Sequence, residues 1–183
     1  INNTGKPFVM GYGITNTTWN PDTQRTRLDF TSSVNRSMYG EILPQGSIFY
    51  ESQDFVPKTG GKYTQAIRIS TDAKVLSLTA ASITWFHKIV SSGYQSHHSK
   101  PATIINTGPN EYIIYSSITW DRENAKIRAF DIQNLHLALD FRNTGTYIEF
   151  YKPKLETGNL PTDWRESNTD INNQIAEYKR TAD

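Results

Sequence analysis

The sequence has no cysteine, which removes disulfides, thiolate metal sites and cysteine nucleophiles from consideration. It also lacks any apolar run near the roughly 20 residues that cross a bilayer as a helix, and its first residues lack the charged-then-apolar pattern of a signal peptide. No membrane partner is expected. Charge of one sign is missing too: 19 Lys and Arg against 18 Asp and Glu leave a net +1. Nucleic-acid binding concentrates basic residues on one face, and no such cluster occurs, so no nucleic-acid partner is expected either. No G-x-S-x-G, H-E-x-x-H, Walker or Rossmann motif is present, and the chain is not expected to be an enzyme.

What remains is 183 residues, enough for one globular domain with its own core and a small appendage. The first residue is Ile1 rather than a methionine, as in an excised or processed piece of a longer protein. Aromatic residues lean towards Tyr (10) and Trp (4), which join an apolar ring to a polar tip.

Short apolar runs recur between Gly, Pro and Asn turns. Pro7–Met10 reads as a first strand, Asn16–Asp22 as turn chemistry around Trp19, and Ser32–Gln45 as a loop. Tyr63–Ser70 alternates, Val75–Val90 reads as two strands, and Tyr112, Ile114, Ser116, Ile118 and Trp120 share one face across a turn at Gly108–Asn110. Ser91–Pro101 reads as a polar loop holding Tyr94, His97 and His98. In Leu135–Arg142 the residues Leu135, Leu137, Leu139 and Phe141 alternate with His136, Ala138, Asp140 and Arg142. A hairpin through Asn143–Gly145 then makes that strand the antiparallel neighbour of Tyr147–Tyr151. No helix is expected before residue 166, and the fold class is an all-β sandwich of antiparallel strands over residues 1–165. In residues 166–183 the spacing of Ile171, Ile175, Tyr178 and Ala182 fits a heptad seam on a C-terminal helix. An amphipathic helix lying on the sandwich and the start of a coiled-coil stalk both remain open.

The last strand ends in an unusual order of residues. Lys154-Leu155-Glu156-Thr157-Gly158-Asn159-Leu160-Pro161-Thr162-Asp163-Trp164 resembles the ending of jelly-roll carbohydrate-binding modules in the tail, baseplate and neck proteins of phages that infect Gram-positive bacteria. The resemblance is specific over residues 147–164 and diffuse over the rest, and similar endings close modules attached to bacterial glycoside hydrolases. It implies a jelly-roll β-sandwich, a place in the virion, and host cell-wall polysaccharide and other virion tail proteins as partners. It also implies a homo-oligomeric full-length protein, since stalks in phage fibres are commonly trimeric. No cofactor is expected beyond the structural calcium that many such modules hold, for which Glu156 or Asp163 could serve. The motif itself reads equally as a structural seam.

A sugar needs an aromatic ring for its apolar face and planar hydrogen-bonding groups for its hydroxyls. The hairpin just described would gather His136, Asp140, Arg142, Tyr147, Glu149 and Tyr151 on one sheet face as the first candidate site. The same alternation of charges is an ordinary way to keep a sheet soluble. Tyr94 and His97 on the rim loop form the second candidate, near Trp85 and His87 or Trp120 and Arg122. Asp140 and Glu149 are the single carboxylate pair this pairing brings near, and ion pairing with Arg142 explains it more simply than hydrolysis. The alternatives to a phage module are an accessory domain of a glycan-degrading enzyme and a spacer without sugar binding.

Overall fold

The computed structural model describes residues 17–29, 56–141, 143–163 and 179. Within them the chain is an all-β, sandwich-like fold of antiparallel strands, in the order β1 (Thr17–Asn20), β2 (Arg25–Asp29), β3 (Lys62–Thr71), β4 (Lys74–Val75), β5 (Ser82–Ile89), β6 (Gln95–Pro101), β7 (Thr103–Gly108), β8 (Glu111–Thr119), β9 (Ala125–Gln133), a one-turn helix α1 (Leu135–Ala138), β10 (Leu139–Asp140) and β11 (Tyr147–Thr157). One sheet runs β1-β2-β11-β3-β8-β7, a second β6-β5-β9, and β10 pairs with β4. The expected strand Pro7–Met10, the loop Ser32–Gln45 and Trp164 lie outside the described residues. So does the C-terminal heptad helix apart from Lys179.

The core lies between the six-stranded and three-stranded sheets. Ile67, Ile69, Ile114, Ile118, Ile148 and Phe150 come from the first, and Ile83, Trp85, Ile127, Phe130 and Ile132 from the second. Period-2 alternation brings them together, because every second side chain is buried along β8, and on β11 the buried Ile148 and Phe150 alternate with Tyr147 and Glu149. Trp85 is fully buried and its Nε1–H donates to Ser116 Oγ across the sandwich at 2.7 Å, so this indole keeps its one polar atom satisfied.

Three local expectations are corrected. Residues 135–142 are not a strand beside β11. Asn134 adopts a left-handed φ of 59°, the chain makes the single turn α1, and only Leu139–Asp140 extends, pairing with Val75 and Lys74. Burial of Leu135 and Ala138 follows the helical spacing of three, which leaves Leu137 half exposed. Both edges of β11 are already taken, by β2 on one side and β3 on the other, so a further strand has nowhere to pair. Gln95–Pro101 is a strand rather than loop, paired along its length with β5. Thr17–Asn20 is likewise a strand, and the turn follows it: Asn20 Oδ1 accepts the Asp22 and Thr23 N–H groups at 2.9 and 3.3 Å.

The entry to β11 is fixed from a distance in sequence. Asp72 accepts the N–H and hydroxyl of Thr146 at 2.7 and 2.6 Å, and Gly145 turns at φ 81° against Ala73, where an added Cβ would lie 3.0 Å from that residue's own Cβ. Burial alone would raise the Asp72 carboxyl. The hydrogen bonds from Thr146 and Tyr147 outweigh it and hold the group below the usual aspartate value.

Candidate functional site

The outer face of the six-stranded sheet carries Arg25, Arg27 and Asp29 on β2, Tyr147, Glu149 and Tyr151 on β11, Arg68 and Ser70 on β3, and Glu111 on β8. The register sets Arg25 opposite Tyr151, Arg27 opposite Glu149 and Glu149 opposite Ser70. Charges of opposite sign therefore meet by cross-strand pairing. Arg27 contacts Asp29 at 2.8 Å and Glu149 at 3.5 Å, while Arg25 reaches Glu149 at 3.6 Å and Glu111 at 3.9 Å. Each guanidinium also lies over a ring, Arg25 at 3.8 Å from the Tyr151 centroid and Arg27 at 4.4 Å from that of Tyr147.

Of the six residues expected on one face, Tyr147, Glu149 and Tyr151 are together. His136 and Asp140 belong to α1 and β10, away from that strand, and Arg142 lies outside the described residues. Asp140 instead closes its own turn, accepting from the Asn143 N–H at 3.2 Å. The expected carboxylate pair is thereby separated, and the cations on Glu149 are Arg25 and Arg27. Tyr151 is only 6% exposed, with its hydroxyl on Glu111; burial first, then that carboxylate, pushes its pKa up to about 12. Its ring is closed as a stacking platform. Tyr147 is half-buried and its hydroxyl meets Ser70 Oγ at 3.0 Å, leaving it beside Arg27 as the more accessible ring, with the Glu149 side chain only 18% exposed. Sequence reasoning missed Arg25, Arg27, Arg68 and Glu111. The alternation of Arg25, Arg27 and Asp29 around Leu28 was the signal for the first two, but nothing local announces that β2 adjoins β11.

The terminal motif folds onto itself. Lys154 Nζ lies 3.0 Å from Glu156 and donates to Thr162 Oγ1 at 2.5 Å and the Asp163 carbonyl at 2.7 Å. The Glu156 carboxylate accepts the Thr162 hydroxyl at 2.7 Å and its N–H at 3.2 Å. Gly158 makes the turn between them at φ 107°, and its N–H donates to Lys62 O at 2.8 Å. Burial would raise the Glu156 carboxyl, yet the bonds from Thr162 and Lys154 bring it below the ordinary value. The order of charges within the motif thus makes a lock between the end of β11 and the segment after it. Glu156 gives its oxygens to that lock, and no group of three or more potential metal ligands occurs among the described residues.

The rim holds a second polar cluster. His97 tilts against Phe86 at 5.9 Å between ring centroids, whereas His98 stacks on the buried His87 at 5.2 Å, and Trp120 stands perpendicular to His87 with the centroids 5.5 Å apart. Arg122 Nε donates to His98 Nε2 at 3.2 Å and Asp121 lies 3.6 Å away. Burial, reinforced by His98 and Arg122, lowers the His87 pKa to about 4. Both His87 Nδ1 and Trp120 Nε1 are buried without a hydrogen-bond partner among the described residues. Tyr94 is exposed in the turn before β6 and belongs to neither cluster.

No family model matches this sequence, and no curated protein matches it. Among solved structures, a phage baseplate protein is similar. It is the tripod (BppUct-A-L) from the baseplate of bacteriophage Tuc2009, at 11% sequence identity and a TM-score of 0.31, over 80% of this chain. The alignment spans 47% of that baseplate chain, about half its length. A likeness that slight says nothing of what this chain binds.

Proposed function

We propose that this chain is a non-catalytic carbohydrate-binding module of a phage tail or baseplate structural protein, holding saccharides of a Gram-positive host surface during adsorption. The observation that carries the reading is the outer sheet face around Arg27, Tyr147 and Glu149, where a ring edge, a guanidinium and a carboxylate stand part-exposed on rigid strands. Planar bidentate groups beside an aromatic ring suit a hydroxyl-rich ligand. The terminal motif supports the module type, since its lock explains why those residue types recur in that order. Other tail proteins and further copies of the chain are the partners this reading implies, and repeated copies would supply avidity to weak single sites.

The test is retention of the protein on Gram-positive cells and on their extracted wall polysaccharides. A Tyr147→Ala/Glu149→Gln variant is expected to lose retention about tenfold or more, while Tyr94→Ala/His97→Ala keeps it. A folded wild-type protein that binds no glycan overturns the reading. The spacer alternative is favoured by one observation, the closure of Tyr151 under Arg25 and onto Glu111, and that outcome would establish it.

A further inference from the structure

His98 belongs to a triangle of polar groups that fixes where its proton sits. Arg122 Nε donates to His98 Nε2 at 3.2 Å, and Asp121 Oδ1 lies 3.6 Å from that same nitrogen and 3.8 Å from Arg122 Nε. A guanidinium donates only, and it stays charged throughout the working pH range. The bond from Arg122 therefore needs a bare lone pair on His98 Nε2, which puts the proton of the neutral imidazole on Nδ1. A protonated imidazole carries donors on both nitrogens. It cannot accept from Arg122, whereas its Nε2–H has an acceptor at hand in the Asp121 carboxylate. One nitrogen thus has two alternative partners, one for each charge state of the ring.

The other groups facing His98 are His87 on β5, on which it stacks at 15°, Trp120 in perpendicular contact at 6.5 Å between centroids, and Lys100 and His97 on its own strand. Burial first, then the Arg122 guanidinium, holds the His98 pKa below the ordinary 6.5; Asp121 pulls the other way, and Lys100 and His97 add smaller lowering effects. The backbone of the turn between β8 and β9 is pinned, since Trp120 pairs with Gly60 and Gly61 and Arg122 O accepts the Thr59 hydroxyl at 2.8 Å. Its side chains are not, with Arg122 42% and Asp121 64% exposed. No side chain of β6 is buried, so beyond its ladder to β5 this edge strand depends on polar ties such as that of His98. From this geometry we infer that His98 is a proton-operated switch on the rim of the sandwich: unprotonated it holds Arg122, and protonated it passes its bond to Asp121 and releases the guanidinium to solvent. In acid the rim gains one positive charge and an outward-turned arginine. The switch is independent of the carbohydrate reading and stands whether or not the sheet face binds sugar.

The test is nitrogen NMR of the histidine and arginine side chains of the wild-type protein from about pH 8 to about pH 5, with the His98 signals identified by their loss in His98→Gln. At the upper pH the His98 ring is expected to carry its proton on Nδ1 with Nε2 bare. As Nε2 takes up a proton, the Arg122 Nε signal should shift with the same midpoint. Arg122→Ala should raise that midpoint and let the neutral ring move its proton to Nε2, facing Asp121, while Asp121→Asn should lower it. Both substitutions replace exposed side chains and should leave the melting temperature at neutral pH nearly unchanged. A neutral His98 protonated on Nε2 in the wild-type protein, a midpoint that neither substitution moves, or an Arg122 signal that ignores the His98 titration overturns the inference.

Discussion

On the outer sheet face Arg25, Arg27, Glu149 and Glu111 stand part-exposed and each of these four charges meets an opposite one within 4 Å. At the other cluster, His87 and Trp120 are buried to 1% and 0% exposure and each leaves a ring nitrogen without a partner among the described residues. The same chain therefore satisfies the polar groups that water could have satisfied and leaves unsatisfied some that water cannot reach. Solvent makes the first arrangement cheap and nearly neutral in stability. Burial makes the second sensitive to any change of charge or volume.

The sharpest way to break the contrast is in the buried cluster. Trp120→Ala is expected to destabilise by about 3 to 5 kcal/mol, from lost burial and the cavity left against His87, as read by denaturant unfolding. A comparable cost for Arg27→Ala would dissolve the distinction. Acid comes next. Unfolded His87 takes a proton near pH 6.5 and folded His87 only near pH 4, so the unfolded state binds more protons between these values. Its contribution is absent above pH 6.5, and stability falls with pH across that window by up to about 3 kcal/mol. His87→Leu should lack this part of the acid sensitivity; comparison of the two proteins' melting temperatures from pH 7 to pH 4 cancels the carboxylates common to both.

The lock of the terminal motif falls between the two clusters. Its side chains lie near the surface, but Lys154 and Glu156 are only 12% and 13% exposed. Removing the carboxylate in Glu156→Ala should cost about 1 to 3 kcal/mol, because a shielded ammonium and the Thr162 hydroxyl lose their acceptor together. Arg27→Ala should cost least, below about 1 kcal/mol, with its contribution shrinking further in high salt. A larger, salt-independent loss would mean that the lattice behaves as a buried network.

Much of this arrangement was legible before any coordinates. Strands whose faces differ in polarity, such as β8 and the first half of β11, declare themselves through alternation, and the turn at Gly108–Asn110 through its residues. The failures share a cause. Leu135–Phe141 alternates as cleanly as β11, but alternation specifies a face and not a neighbour, and β11 had its neighbours from residues far away in sequence. Its partners Arg25 and Arg27 lie 122 positions from Glu149 in the latter case, a separation no local window bridges. Tyr151 illustrates the same limit at the candidate site: its position on the polar face was readable, whereas its closure depends on Glu111 across two strands. His98 was placed among residues of a loop, yet its link to Arg122 and His87 follows from strand pairing that hydrophilic sequence does not signal.

The lock at Lys154 also has a mechanical meaning. It ties the backbone at Asp163 to the end of an interior strand, hydrogen-bonded to β2 through Tyr147–Tyr151 and to β3 as far as Thr157. Tension applied along the chain at that point and directed along β11 is resisted by two ladders stretched in parallel, many bonds at once. The same tension on an edge strand such as β7, pulled sideways, would open its ladder one bond at a time. By tying the exit to the interior of the sheet, four polar side-chain and backbone groups convert a peeling load into a shearing one.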